Sequence, residues 1–371
     1  MKICLFGDAR SVHLHQLARE LLRRGHFVHV LSHKTGEIPG VVVDRFRVPP
    51  PSLTNPRRWP SRWTHYLRGF LRQFDVINIH FLADWGFTPE LLEEGCVVAT
   101  AWGSDVVAPP GEDGPSPSLI DARVTLLRHA RAVTACGPTF AATVAAFAGL
   151  ERGAVNVVPF GVDLDLFHGN AKGQNLRRDL SEEKDIRRIG FFKGFRAVYG
   201  PTHLIRAIPL VQGEWPNVRF DFVGDGPQLE ECQSLAEVLN VNQSIRWIPR
   251  QDHARMPALL AQWEVSVMPS VFEAFGVAAL ESSAMGVPVV ASDAGGLRDT
   301  VQLGKTGLLV PPDSPRALAD GIVELLKNDK RRAEMGQAGR SFVAENFAWS
   351  DVARRWECLY EQALDRVHAA V

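Results

Sequence analysis

The sequence has few cysteines, and none of them stands at the spacing of a metal site. The chain of 371 residues contains five, each isolated from the others. Cysteine-based metal sites place their ligands a few residues apart, and the disulfide frameworks of small secreted proteins use dense sets of cysteines. This usage excludes a disulfide scaffold and indicates reduced, buried thiols in a cytoplasmic protein.

The sequence also lacks long apolar runs and an excess of charge of either sign. No apolar run approaches the roughly 20 residues that a membrane-spanning helix requires. The first run, residues 3–6, ends in Gly7-Asp8 and not in the small residues of a signal-cleavage site. The net charge of −1 excludes a globally basic nucleic-acid-binding protein, so we expect no nucleic-acid partner.

What the sequence does have is a regular alternation of short apolar runs with segments of helical periodicity. Continuously apolar runs are typical of strands that are buried on both faces of a parallel sheet. A helical pattern at residues 13–24 separates the first two runs. The runs occupy residues 3–6, 27–31, 76–81, 96–101, 132–136 and 155–159 in the first half, and residues 189–192, 218–223, 245–248, 265–268, 287–291 and 308–310 in the second. The pattern predicts an α/β fold.

Two domains fit this length and pattern. A polar, charged stretch at residues 169–185 has no strand signal and separates the two sets of runs. We therefore predict two Rossmann-like, doubly wound domains that face each other across a cleft, residues 1–168 and residues 169–349. The helical segment near residues 350–371 could pack back on the first domain. Sheets of this kind bind ligands at the carboxyl ends of their strands.

The most informative segment is a strand, a short loop and a helix at residues 265–285. The free backbone N–H groups at a helix N-terminus attract an anion, and a diphosphate is the natural guest here. Glu281 lies about 6 Å along the helix axis, near the place of the ribose of a bound nucleotide. Glu273 precedes the helix, on the side of a sugar attached to the diphosphate. The two carboxylates would thus hold opposite ends of a nucleotide sugar.

This segment resembles a known family of enzymes. Glu273 and Glu281 reproduce the E-x7-E motif of retaining glycosyltransferases with the GT-B fold. The surrounding sequences look like family 4 of that group, the glycosyltransferases group 1. They read PSVFEAFGVAALESSAMGVPVVASDAGG at residues 269–296 and GKTGLLVPPDSPRALA at residues 304–319. Further similar stretches are RGHFVHVLS at 24–32, VVPFGVDLDLF at 157–167, FVGDGP at 222–227 and PALLAQWEVSVMPS at 257–270.

The resemblance implies a role for each residue of the E-x7-E segment. Glu273 would contact the hydroxyls of the donor sugar, and Glu281 would contact the ribose. The backbone of Phe275, Gly276 and Val277 would meet the sugar and the diphosphate. The fold would be GT-B, without a metal ion or another cofactor.

The family also uses a pair of basic residues, five positions apart, against the diphosphate. Lys193 matches the first of the pair, but the second falls on Val198. Arg196 is a possible substitute, because fixed cations must take up the charge that grows on the leaving group. The alternative is that both cations are solvated loop residues.

The remaining donor-binding candidates lie on several loops. Gly7 and Ser11 occupy the place of a paired-glycine loop of the family, and Trp102 stands where the family has a histidine near the sugar. Trp102 could instead be a packing residue. Gly224 could line the nucleotide cleft, and Ile248 lies in the segment that would flank the base.

The function implied by the resemblance is transfer of a hexosyl unit, from a UDP-sugar ahead of a GDP-sugar, to a small-molecule, glycan or lipid-linked acceptor. Two alternatives stay open: a non-catalytic nucleotide-sugar-binding relative, motivated by Val198, and a nucleotide-sugar epimerase of the same architecture.

Two further motifs carry weaker signals. Asp163 and Asp165 match the D-x-D pattern of metal-dependent glycosyltransferases, but they lie within the linker-like pattern of residues 157–167. The basic, aromatic stretch at residues 57–72 could lie on an anionic membrane surface or be an ordinary amphipathic helix.

Overall fold

The computed structural model describes residues 1–45, 65, 68–82, 89, 92, 95–108, 114–168 and 186–368. These residues form two compact units. The first contains the described residues up to Gly161 together with the last helix, Trp349–His368, and the second is Val162–Ala348. The predicted linker, residues 169–185, lies outside the described residues.

The first unit is built on a parallel sheet of seven strands. Their order across the sheet is β3-β2-β1-β4-β5-β6-β7, and every neighbouring pair is parallel. The strands are β1 (Lys2–Gly7), β2 (Phe27–Ser32), β3 (Val42–Arg45), β4 (Val76–His80), β5 (Cys96–Ala101), β6 (Ala132–Ala135) and β7 (Val155–Val157). The six predicted runs of this half are confirmed as strands. The edge strand β3 was not predicted, because it is short and mostly exposed.

Helices cover both faces of this sheet, as buried parallel strands require. Helix α1 (Val12–Arg23) begins at Ser11, whose hydroxyl accepts from the backbone N–H of Leu14. Helices α2 (Pro117–His129) and α3 (Pro138–Ala148) follow in sequence order. The final helix of the chain, residues 349–368, belongs to the same hydrophobic core and contributes Trp356 and Tyr360 to it.

The second unit repeats the plan with a six-stranded sheet. Its order is β10-β9-β8-β11-β12-β13, again parallel throughout. The strands are β8 (Arg187–Phe192), β9 (Val218–Val223), β10 (Ile245–Ile248), β11 (Val265–Met268), β12 (Val289–Ser292) and β13 (Gly307–Val310). All six predicted runs of this half are confirmed as strands, so the α/β, doubly wound class holds for both units.

The helices of the second unit follow the same alternation. They are α4 (Pro201–Glu214), α5 (Leu229–Val238), α6 (Met256–Leu260), α7 (Val277–Ala284), α8 (Leu297–Thr300), α9 (Pro315–Lys327) and α10 (Asp329–Asn346), and the last helix of the first unit, Trp349–His368, is α11. The first and last residues of the unit, Val162 and Ala348, form a parallel β-bridge. The N–H of Val162 donates to the carbonyl of Phe347 at 2.7 Å. This pairing holds the segment after β7 in the second unit.

A buried chain of hydrogen bonds fastens α11 to the first sheet. The side-chain N–H of Asn78 donates to the Tyr360 hydroxyl at 2.7 Å, and the Thr100 hydroxyl donates to the side-chain oxygen of Asn78 at 2.7 Å. The Thr134 hydroxyl donates to Thr100 at 2.9 Å. Burial raises the pKa of Tyr360, so the hydroxyl stays neutral. Because all four side chains are buried, each depends on the next for its hydrogen bond.

Replacing Tyr360 by phenylalanine therefore leaves the buried Asn78 amide without an acceptor. We expect Tyr360→Phe to lower the free energy of unfolding by about 1–3 kcal/mol in urea denaturation. The matched control is Thr134→Val, at the other end of this row of hydrogen bonds. It leaves no donor without an acceptor and should lower the free energy of unfolding by less than about 1 kcal/mol. Equal effects of the two substitutions would contradict this account.

Candidate functional site

The loop between β11 and α7 carries Glu273 and is held from both sides by backbone contacts. On one side, the N–H of Val271 donates to the carbonyl of Val198 at 2.9 Å. On the other side, the N–H of Gly296 donates to the carbonyl of Glu273 at 2.7 Å. The neighbouring Gly295 has φ +50°, and a Cβ there would lie 2.1 Å from the Glu273 carbonyl oxygen. A glycine is needed for this approach, which fixes the backbone that presents Glu273.

Helix α7 begins at Gly276, which supplies no side-chain cap. Gly276 has φ +107°, and its missing side chain leaves the first turn of the helix without a side-chain acceptor. A Cβ at this position would lie 3.7 Å from Cγ of Glu273, so the glutamate side chain lies beside the helix start. Phe275 is 3% exposed and packs edge-on to Phe347, while Val277 is the first helical residue. The arrangement suits an anion at the helix N-terminus.

Glu273 and Lys193 form an ion pair at the carboxyl ends of β11 and β8. The distance from Lys193 Nζ to Glu273 Oε2 is 2.6 Å, and the two side chains are only 15% and 11% exposed. The ammonium also lies 4.7 Å from the ring centre of Tyr199. Burial opposes the charge of Lys193, but Glu273, Tyr199 and Glu281 outweigh it and raise the pKa of the amine above its ordinary value. Lys193 is therefore a fixed cation at this site.

Glu281 lies on the buried side of α7 and pairs with a histidine. It is 8% exposed, and its Oε1 lies 2.7 Å from Nε2 of His253. Burial opposes protonation of His253, but the hydrogen bond and charge of Glu281, aided by Asp163, raise the pKa of the imidazole. The sequence analysis did not predict His253. A single histidine in the turn that follows β10 carries no sequence signal of this contact.

This chain has a buried valine, Val198, at the position of the second basic residue of the family pattern. Val198 is 5% exposed and lies in a short 3₁₀ helix, Ala197–Tyr199, where its carbonyl accepts from the 271–272 backbone. Its side chain is thus a packing residue. Arg196 precedes this helix in an extended conformation and is exposed. Its role as a substitute cation stays a prediction.

The loops that follow β8 and β9 are joined through glycines. A Cβ at Gly224 would lie 2.2 Å from the Lys193 carbonyl, and the Gly224 N–H donates to the carbonyl of Ile248 at 3.0 Å. The N–H of Phe195 donates to the carbonyl of Asp225 at 2.7 Å. Gly224 therefore sets the position of the Lys193 backbone, and Ile248 lies beside it at the end of β10. Whether either residue meets a nucleotide stays a prediction.

In the first unit, the predicted donor residues lie at the ends of β1 and β5. Gly7 is the last residue of β1, and Ser11 caps α1. Arg10, in the loop between them, forms an exposed ion pair with Asp8 at 2.8 Å, which lowers the pKa of that carboxyl and offsets the arginine charge. Trp102 follows β5 directly.

Trp102 belongs to an aromatic cluster within the first unit. Its ring lies edge-on to Phe160, His80 and His13, with centroids 5.3, 5.8 and 6.0 Å away. Burial lowers the pKa of His80 to about 3, so this imidazole is neutral. The packing alternative for Trp102 thus has direct structural support, and its contact with a sugar stays a prediction. Asp105 is fully buried and accepts the backbone N–H groups of residues 82, 102 and 103, which makes it a structural carboxylate.

Two absences concern only the part of the chain that the structure describes. There, no group of three histidine, cysteine, aspartate or glutamate side chains is gathered as metal ligands, and no helix is long and apolar enough to cross a bilayer. The stretch at 57–72, for which the sequence leaves open a membrane contact or an ordinary amphipathic helix, lies mostly outside the described residues.

Comparison with known proteins covers both units. The model of Glycosyltransferase Family 4 matches residues 11–166, and the model of Glycosyl transferases group 1 matches residues 173–342.

Several curated relatives carry related names. The chain is 32% identical to a D-inositol 3-phosphate glycosyltransferase of Corynebacterium jeikeium, over 56% of this chain and 52% of the relative, so the match spans about half the length of that protein. A protein of the same name from Thermobispora bispora is 28% identical over 98% of this chain and 92% of its own. A GDP-mannose-dependent alpha-(1-6)-phosphatidylinositol monomannoside mannosyltransferase of Mycolicibacterium smegmatis is 33% identical over 57% of this chain and 56% of its own.

Solved structures share the fold. Sucrose-phosphate synthase from Thermosynechococcus elongatus superposes with a TM-score of 0.82 at 22% identity, over the full length of both chains. Anabaena HepE in complex with UDP superposes with a TM-score of 0.78 at 20% identity, over 98% of this chain and all of the other. With both units matched by consecutive models of one family, and with its two parallel-sheet domains, the chain belongs to the family 4 glycosyltransferases, glycosyl transferases group 1, of the GT-B fold.

Proposed function

We propose that the chain is a retaining hexosyltransferase that uses a nucleoside diphosphate sugar and no metal ion. The observation that carries the proposal is the grouping around the start of α7. There, Glu273 lies beside Gly276, Lys193 pairs with Glu273, and Glu281 lies one turn into the helix. A diphosphate on the uncapped helix N-terminus would bring its sugar to Glu273 and its ribose to Glu281.

In the reaction that we propose, the bond between the anomeric carbon and the diphosphate oxygen breaks, and an acceptor hydroxyl forms the new bond on the same face of that carbon. The proton of the hydroxyl passes to the leaving diphosphate. The sugar takes on oxocarbenium character, as in glycoside hydrolysis, while negative charge grows on the leaving diphosphate. Lys193 and the N–H groups of α7 would stabilise that charge, because they are fixed before the substrate arrives. Glu273, freed from Lys193 by the phosphate, would accept from the sugar hydroxyls.

For the base of the donor and for the acceptor, we propose chemical classes. We propose a UDP-hexose first and a GDP-hexose second. The UDP complex of Anabaena HepE and the GDP-mannose-dependent enzyme of Mycolicibacterium smegmatis make both worth assaying. The acceptor classes are a small molecule, a glycan or a lipid-linked sugar, and the names of the relatives add inositol phosphate and phosphatidylinositol mannoside to the panel. We propose a cytoplasmic location, with residues 57–72 as the segment for any contact with an anionic membrane.

The two glutamates should fail in different ways. We expect Glu273→Gln to lower kcat/KM for the donor by about 100-fold or more, because a contact that strengthens in the transition state is lost. We expect Glu281→Gln to raise the donor KM by about tenfold with a smaller change in kcat, because a ground-state contact to the ribose weakens. Steady-state assays of nucleoside diphosphate release measure both. The control is Glu334→Gln, at an exposed position of α10, where the side chain lies 3.9 Å from Lys330. Full activity in both site variants would remove the proposal.

The backbone that presents Glu273 can be tested without touching a side chain of the site. Gly295→Ala places a Cβ against the Glu273 carbonyl, whereas Gly304→Ala meets nothing within 4 Å although its φ is also positive, at +74°. Each should cost about 1 kcal/mol or more in unfolding free energy because of the positive φ. Only Gly295→Ala should also lower kcat/KM, by about tenfold or more, since displacement of a catalytic group by less than 1 Å is costly. Equal activity of the two variants would argue against the placement of Glu273.

Metal independence predicts that chelation leaves the reaction intact. After dialysis against EDTA, the rate should stay within about twofold of the untreated enzyme, because Lys193 and α7 supply the charge that a metal would otherwise supply. A loss that added Mg²⁺ or Mn²⁺ restores would overturn this part of the proposal.

A further inference from the structure

The segment that follows β7 has a role that the proposed function does not yet use. Asp163 accepts the backbone N–H groups of Asp165 and Leu166, both at 3.1 Å. Its own carbonyl accepts the N–H of Phe167 at 2.7 Å. These bonds close a tight turn, as aspartate side chains commonly do. The turn places Phe167 in the interior of the second unit, where the residue is 1% exposed. The D-x-D pattern of this segment therefore builds a turn.

Phe167 and Asp163 both act on His253. The Phe167 ring packs against the imidazole with a centroid distance of 4.9 Å. Asp163 acts on the same imidazole through its charge. His253 begins the 3₁₀ helix His253–Arg255, and its side chain is 29% exposed. The imidazole is thus confined between an aromatic ring and the carboxylate of Glu281.

His253 holds one of the two oxygens of Glu281. Nε2 of His253 lies 2.7 Å from Oε1. Within the described residues, no hydrogen bond reaches Oε2. A carboxylate that is anchored at one oxygen keeps the lone pairs of the other in a fixed direction, so a ligand that binds there has less side-chain entropy to pay.

We propose that His253 is a positioning residue for nucleotide recognition. By holding Oε1 of Glu281, it aims the carboxylate at the two hydroxyls of a ribose, and the ring of Phe167 packs against the imidazole. This inference rests on the proposed function, in which Glu281 accepts from the ribose. It goes beyond that function by assigning to His253 the strength with which the site prefers a nucleoside diphosphate that carries both ribose hydroxyls.

The experiment compares two ligands across a set of variants. Isothermal titration calorimetry measures the Kd of UDP and of 2′,3′-dideoxy-UDP, with GDP and its dideoxy analogue in parallel. In the wild type, loss of the ribose hydroxyls should weaken binding by about tenfold or more. This ratio should fall towards 1 in Glu281→Gln. In His253→Leu it should fall to about a third of the wild-type value or less, and in His253→Gln, which keeps an N–H donor, it should stay within about twofold.

The ratio separates positioning from a merely structural role, because the diphosphate and base are the same in both ligands. Circular dichroism melting checks that each variant is folded. If His253→Leu does not fold, Phe167→Leu tests the same support and should lower the ratio in the same direction. A wild-type ratio in folded His253→Leu, together with a reduced ratio in Glu281→Gln, would overturn the role of His253 and leave the proposed function standing. Failure of the wild type to bind either UDP or GDP would overturn the proposed function and this inference with it.

Discussion

A carboxylate that is withdrawn from water must be paired, and this constraint organises the second unit. Glu273 and Glu281 each meet a cationic or protonatable partner from a different loop, Lys193 after β8 and His253 after β10. The partners do two things at once: they make burial of the acids tolerable, and they fix where each carboxylate points. A ligand that binds to Lys193 or to these carboxylates therefore meets charged groups that are already in position.

Asp221 shows what the same constraint produces where no ligand is expected. It is fully buried in β9, and its two oxygens accept from Arg246 at 2.9 and 2.5 Å and from the indole of Trp263 at 2.8 Å. Arg188 adds a further charge at 3.6 Å. Both oxygens of this carboxylate are thus held by the fold. In Glu281, by contrast, a hydrogen bond reaches one oxygen within the described residues, which leaves the other available for the ligand that we propose.

Much of the fold could be predicted because buried parallel strands have continuously apolar sequences. The strand β3 was missed for the opposite reason: it is an edge strand with exposed positions, so Asp44 and Arg45 broke the pattern. The placement of Glu273 and Glu281 around the start of α7 also follows from local spacing along one strand, loop and helix. His253 could not be predicted, because its contact with Glu281 joins residues that are 28 positions apart and depends on the register of β10 beside β9. Val198 is a similar case, since burial of its side chain is set by the packing of a short 3₁₀ helix and not by the motif around it.

In the proposed reaction, the absence of a cation at position 198 changes how the negative charge on the leaving diphosphate would be stabilised. At position 198 the chain uses its backbone carbonyl to hold the 271–272 loop, and the buried valine leaves no charge there. In the proposed reaction, Lys193 would then supply more of the positive charge. Its surroundings suit that role, because two carboxylates and an aromatic ring keep the buried ammonium protonated. The N–H groups of α7 are the second fixed source of positive potential, and Gly276 keeps them free of a side-chain acceptor. In the proposed reaction, Lys193 and the N–H groups of α7 would act on the same diphosphate, and Arg196 stays a candidate for the second cation. This arrangement requires the loops at 193–200 and 269–276 to stay joined. Two contacts join them: the hydrogen bond from the Val271 N–H to the Val198 carbonyl, and the close approach of Gly200 to the Pro269 carbonyl, where a Cβ would lie at 2.1 Å.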